Sequence, residues 1–231
     1  IELYQSKQNL EIRLKEREAT IREQEKAIRE NNEFMIDALG SVVEFRSIET
    51  GDHVKRIKYL TRILLKYLAK YFPKYDMTPV KIDQIARASA LHDIGKIGIP
   101  DSILLKPGKL TPEEFEIMKT HTTIGCEILE SFKSPYMDEF YQYCYEICRH
   151  HHERNDGKGY PDHLKGDEIP ISAQIVSIAD VYEALVSERV YKSAYSNAEA
   201  YAMILNGECG QFSDDVIECF KLAKEDFFNL V

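Results

Sequence analysis

A chain of 231 residues can bury one full core and still carry an appendage. With 44% hydrophobic and 30% charged residues it is globular rather than disordered or fibrous, and a net charge of −9 excludes DNA or RNA binding through a broad basic surface. No apolar run approaches the roughly 18–20 residues of a membrane span, and no signal peptide is visible.

Cys126, Cys144, Cys148, Cys209 and Cys219 are odd in number and lie in helical apolar patterns, as buried free thiols of a cytoplasmic protein would. Cys144, Cys148 and nearby His150 leave a zinc site open, although helix packing accounts for both thiols. The chain begins at Ile1 rather than Met, so the expectation is a fragment of a longer protein, with membrane tethering upstream still compatible.

Residues 1–40 lack proline, are dense in charge and contain no glycine before Gly40. Leu14, Ile21, Ile28, Met35 and Val42 recur every seven residues, while the complementary column of Leu10, Arg17, Gln24, Asn31 and Ala38 is largely polar. That pattern predicts a long N-terminal helix able to form a weak parallel coiled coil, and hence a homodimer; a single solvated helix is the alternative. From residue 41 to 231 an all-α domain is expected. Helices are predicted over 41–49 and 52–72, then from Thr78-Pro79 to about Gly95. Thr111-Pro112-Glu113-Glu114 reads as a capping box opening a helix to about Phe132. Pro135 opens another, whose buried stripe is Met137, Phe140, Cys144 and Cys148. Residues 153–170 form a long Gly- and Pro-rich polar loop, of the kind that is usually functional. Helices over 172–187, 197–206 and 213–229 complete the chain.

Histidines and carboxylates gather at the ends or inner faces of these helices. His53 opens one helix with Glu49 four residues earlier, and His92-Asp93 closes the next. His121, His151, His152 and Asp180 fall on or beside apolar faces. Singly, each is more simply a hydrogen-bonded core residue or a cap. Together, buried polar groups on separate helices would each suffer desolvation of a few kcal/mol unless they shared a partner, and a metal cluster satisfies them jointly. Imidazole and carboxylate without thiolate suit Fe, Mn, Co, Ni or Zn. Asp93 has two oxygens and could bridge two ions about 3.5–4 Å apart, an arrangement suited to in-line hydrolysis of a phosphate ester by metal-bound hydroxide.

The stretches LHDIGKIGIPD, KPGKLTPEE, MKTHTTIG, HHERNDGKGYP and IADVYEALVSERVYK together resemble the HD-GYP branch of the HD phosphohydrolase superfamily, from about Gly40 to the chain end. The resemblance implies an HD-domain helical bundle and a metal-dependent phosphodiesterase acting on cyclic di-GMP, giving pGpG or GMP. It implies His53, His92, Asp93, His121, His151, His152 and Asp180 as metal ligands, with Asp93 bridging. Glu49 implies a third ion, so two or three divalent ions, iron or manganese, are expected. Lys96 is implied to approach the scissile phosphate; an ion pair with Asp93 is its alternative. Tyr160 would lie against the substrate, and Arg189 and Lys192 would hold its phosphates. Val190 and Glu183 depart from the branch's usual Pro and Asp, and His150 matches no ligand position. An upstream sensor or receiver domain is expected. The same chemistry on another cyclic or linear dinucleotide, or binding without turnover, remain the competing functions.

Overall fold

The computed structural model describes residues 2–47, 52–132, 139–188 and 194–229. As expected, the described residues are helical, and in place of strands there is one isolated antiparallel bridge, Asp156 with Lys165. None of the described helices is long and apolar enough to cross a membrane. The chain divides into two compact units, residues 1–38 and 39–231.

The first unit is helical from residue 2, and its helix, α1 (Glu2–Arg46), continues into the second. Leu10, Leu14, Ile21, Ile28 and Met35 are each more than half exposed. The expected break at Gly40 does not occur. A Cβ at Gly40 would lie 2.4 Å from the Ala90 carbonyl oxygen, so glycine serves close packing there rather than termination.

In the second unit α2 (Asp52–Tyr71) is the central element, because Val54, Ile57, Leu60, Leu64 and Leu68 repeat at helical spacing and are all buried. It packs on α3 (Pro79–Ala88), α8 (Ile171–Val186) and α10 (Asp214–Leu222). Burial of each such Leu or Ile contributes about 1.5–3 kcal/mol. Tyr182 of α8 meets Phe220 and Phe227 edge-to-face, closing the end of the core. Two further helices, α9 (Asn197–Leu205) and α11 (Lys224–Phe228), complete this end, and the expected 213–229 helix is broken at Ala223 between α10 and α11.

Two other expected helices are also divided, and both divisions serve the site. Thr78 caps α3 by accepting from the Lys81 amide, as its sequence predicts. The chain beyond Ala88, however, tightens into 3-10 turns at Ser89–Leu91 and Ile94–Gly98, one on each side of His92-Asp93. The short α4 (Asp101–Leu104) follows. Thr111 and Glu114 form the predicted capping box on α5 (Pro112–Lys119), which parts at Thr120 from α6 (His121–Ser131). The Thr120 hydroxyl donates to the Ile117 carbonyl at 2.7 Å, a local bond that competes with the helical ladder. Cys144, Ile147 and Cys148 form the buried face of α7 (Glu139–His150). Pro135 and Met137 lie outside the described residues.

Candidate metal centre

Six elements deliver side chains to one buried locus: α1, α2, the turns around His92-Asp93, α6, the end of α7, and α8. Three imidazoles are oriented by their own preceding turn. His92 Nδ1 donates to the Ser89 carbonyl at 2.9 Å, His121 Nδ1 to Met118 at 2.7 Å and His151 Nδ1 to Ile147 at 2.9 Å. His53 Nδ1 is held by the Glu183 carboxylate. This is the pattern that fixes a metal-binding imidazole, because it commits the Nδ1 proton and turns Nε2 inward.

Those Nε2 atoms converge on carboxylates. Asp93 Oδ1 lies 3.2 Å from His121 Nε2 and 3.7 Å from His151 Nε2. Asp93 Oδ2 lies 3.2 Å from His92 Nε2, and Asp180 Oδ1 is 3.8 Å from His92 and 4.0 Å from His53. At this locus two sets of donors are close enough to share an ion, Asp93, His121, His151 and His152, and Glu44, His53 and His92; a third set, His150, Glu153 and Asp162, lies at the 153–170 loop. Asp93 links the first two. Two details test the fit. His92 Nε2 and Asp93 Oδ1 are buried with no hydrogen-bond partner. His121 Nε2 and His151 Nε2 face each other at 3.4 Å, two lone pairs once both Nδ1 protons are committed to carbonyls. A cation resolves both, so the donor set fits divalent metal.

Without a cation, the electrostatics divide the imidazoles. Burial favours the neutral form of His92, but Asp93, Asp180 and Glu44 outweigh it and push the imidazole up to about 10. Burial pushes His121 down to about 4 and holds His152 well below the usual imidazole range. Burial also opposes ionisation of Asp93, yet Lys96 and His92 hold its carboxyl well below the ordinary range. Lys96 Nζ sits 2.6 Å from Asp93 Oδ2, so the ion pair considered as its alternative role is present.

Of the other expected site residues, Tyr160 stacks on His152 with centroids 4.8 Å apart and meets Phe115 edge-on at 6.1 Å. Glu49, Arg189 and Lys192 lie outside the described residues. The zinc alternative gains nothing, since no donor set among the described residues contains a thiolate, and Cys144 and Cys148 are buried and outside any disulfide. Three acidic residues escaped the sequence reading. Glu44, 2% exposed, has Oε1 4.0 Å from His53 Nε2; its signal was the shift of burial from the Val42 seam column to Val43 and Glu44. Glu183, read only as a mild departure, is the acceptor that orients His53, and it also receives Arg56 Nε at 2.7 Å and the Ser187 hydroxyl at 2.6 Å. Glu153 folds the 153–170 loop by accepting the amides of Asp162 at 2.7 Å and Leu164 at 3.1 Å.

An all-helical bundle whose helix ends converge on a buried imidazole–carboxylate cluster defines a divalent-metal domain of the phosphohydrolase type. Residues 49–212 match the HD domain family, and the chain belongs to that family. It is 46% identical over 192 residues to a cyclic di-GMP phosphodiesterase of Thermotoga maritima, a match covering 83% of this chain and 49% of the relative. It is 42% identical over 203 residues to a cyclic di-GMP phosphodiesterase of Vibrio cholerae, covering 87% of this chain and 41% of the relative. The chain therefore spans about half or less of the length of these curated relatives. An HDG"Y"P protein from Bdellovibrio bacteriovorus shares the fold, with a TM-score of 0.58 at 22% identity over 87% of this chain and 67% of that one. The HD-GYP resemblance read from the motifs is borne out.

Proposed function

We propose that the chain is the catalytic portion of a cyclic di-GMP phosphodiesterase, hydrolysing a phosphodiester bond of that dinucleotide to give pGpG or, after a second cut, GMP. The observation that carries the reading is the set of oriented, inward-facing imidazoles around Asp93. The names of relatives 42% and 46% identical supply the substrate.

In this reading Asp93 would contribute a carboxylate oxygen to each of two metal positions. His121, His151 and His152 complete one position; His53, His92 and Asp180 complete the other. Glu49 would hold a third, and iron or manganese would suit the donor set. Ions so placed supply Lewis acidity toward phosphoryl oxygens and offset their charge. The chain's own groups do the rest. Lys96, already directed at Asp93, holds a phosphoryl oxygen or gives its proton to the leaving 3′-oxygen. Tyr160, braced by His152, supports the bound nucleotide, while Arg189 and Lys192 hold its phosphates as the local positive charge that an acidic chain requires. The full protein is cytoplasmic, pairs through the α1 seam and receives its signal from an upstream sensor or receiver domain.

Anaerobic purification, metal counting and turnover test the reading together. Protein loaded with Fe(II) or Mn(II) should hydrolyse cyclic di-GMP, and Asp93→Asn should lose both metal and activity. No hydrolysis by protein carrying two or more ions refutes the function. Hydrolysis of cyclic GMP-AMP alone replaces the substrate, and full activity in Asp93→Asn overturns the bridging role.

A further inference from the structure

The last turn of α1 reaches the Lys96 segment through a single side chain. Arg46 Nη1 donates to the carbonyls of Lys96 at 2.9 Å and Ile97 at 2.7 Å. Its Nη2 donates to the Ile99 carbonyl at 2.7 Å and to Asp101 Oδ1 at 2.6 Å. One guanidinium thus binds four acceptors spread over six residues. The planar fork of an arginine permits this, and an ammonium with three donors on a point charge does not.

The segment needs such a hold. Ile94–Gly98 is a 3-10 turn, a poorer hydrogen-bonding geometry than the α-helix, and its Lys96 carbonyl accepts from the Ile99 amide at a long 3.1 Å. Gly95 and Gly98 press one side of it onto α6, with a Cβ on Gly98 only 2.9 Å from the Ile124 side chain. On the other side Ile97 is 53% exposed, so packing contributes little there. Arg46 hydrogen-bonds two carbonyls of this turn, those of Lys96 and Ile97. Its positive charge also lies at the negative end of the turn's backbone dipoles. The Lys96 side chain leaves from the very residue whose carbonyl Arg46 holds.

We propose that Arg46 is a positioning residue for Lys96: it fixes the backbone from which the ammonium reaches Asp93 and the substrate phosphate. The inference rests on the phosphodiesterase reading only through the role given to Lys96. Because Arg46 ends α1, it also makes the close of that helix a point at which movement would change turnover.

A double-mutant cycle separates positioning from mere support. Arg46→Ala should lower kcat roughly 10- to 100-fold, the scale of a misplacement of about 1 Å. Metal per chain should stay unchanged, because no ligand is removed. In a Lys96→Ala background the same Arg46 change should cost less than about twofold, since residues acting as one unit are non-additive. Arg46→Lys should recover little. Amide hydrogen exchange, followed by mass spectrometry over residues 94–101, should quicken at least about tenfold in Arg46→Ala and Arg46→Lys, as expected when local opening is eased. If Arg46→Ala fails to fold, Arg46→Gln carries the same cycle with two donors retained. Equal loss in both backgrounds, or unchanged exchange, overturns the proposal. Wild-type protein that is loaded with metal yet cleaves no phosphodiester refutes the function instead, and the exchange measurement then decides whether Arg46 holds the turn.

Discussion

Replacing Gly95 with alanine asks how closely the His92-Asp93 turn is pressed against α6. A Cβ at Gly95 would lie 1.8 Å from the His121 carbonyl oxygen, 2.5 Å from the Gly125 amide nitrogen and 2.8 Å from the His121 carbonyl carbon. Real Cβ contacts stay beyond 3.0 Å, so the two segments must part by more than an ångström. All three obstructing atoms are backbone and cannot rotate away. Overpacking of this kind costs about 1–3 kcal/mol, here toward the upper end, against about 0.4–1 kcal/mol gained from a stiffer unfolded chain. A net loss near 2 kcal/mol lowers Tm by roughly 4–8 °C for a domain of this size. The same displacement enlarges the 3.2 Å separation of Asp93 and His121, so metal content should fall as well. Gly125→Ala supplies the contrast. Its Cβ would meet Cys148 Sγ at 2.2 Å, with the next contacts at 3.2 and 3.3 Å, so the main obstacle is the end of a side chain. Adding Cys148→Ala to Gly125→Ala should restore most of the lost stability and metal, whereas no single truncation should rescue Gly95→Ala. Thermal melts and metal analysis on the four proteins provide the check. A Gly95→Ala protein melting within 2 °C of wild type with full metal would refute the packing argument.

Glu183→Gln should destabilise the domain by about 3 kcal/mol and weaken metal binding about 10- to 100-fold, because it removes the charge that orients His53 and neutralises Arg56. Burial works to raise the Glu183 carboxyl, but its bonds from His53, Ser187 and Arg56 hold it at about 2; titration with metal and a melt at neutral pH check both effects. Tyr75 is pushed up to about 12 by burial and by its 2.6 Å bond to Asp215. Its folded value exceeds the unfolded one, so its contribution is complete below about pH 10 and lost as pH rises toward 12. The phenolate absorbance of wild type minus Tyr75→Phe should show that late titration. Ile21→Asp should abolish pairing through the α1 seam, read by light scattering at high concentration; an unchanged mass would remove the coiled coil from the proposal. Glu49→Gln should lower iron or manganese by about one ion per chain, and an unchanged count would refute a third ion held there.

Much of the fold lay open in the sequence because its signals are local. Thr78-Pro79 and Thr111 to Glu114 cap where they are expected to, since a cap needs only three or four neighbouring residues. The misread boundaries depend on what comes from elsewhere in the chain. A boundary was expected between residues 40 and 41, but Gly40 meets the Ala90 carbonyl within one helix, and the helix expected to run to Gly95 is broken because Gly95 meets α6. The same distinction runs through the site. Chemistry-bearing residue types at helix ends suggested convergence, and the family motifs chose among them. Glu44 and Arg46 were passed over because their partners, His53 and the carbonyls of residues 96–99, become neighbours only after folding.

Each of His92, His121 and His151 borrows its orienting acceptor from a residue three or four positions back in its own chain. Aim is therefore encoded locally, while only the distances between ligands depend on how the helices cross. A lineage of such proteins could let its crossing angles drift and keep every tautomer correct, provided the turn before each histidine survives. The carbonyls involved belong to turns with any side chain, so alignment of side chains would not reveal them. The aim of these three imidazoles is carried by backbone atoms that every amino acid shares.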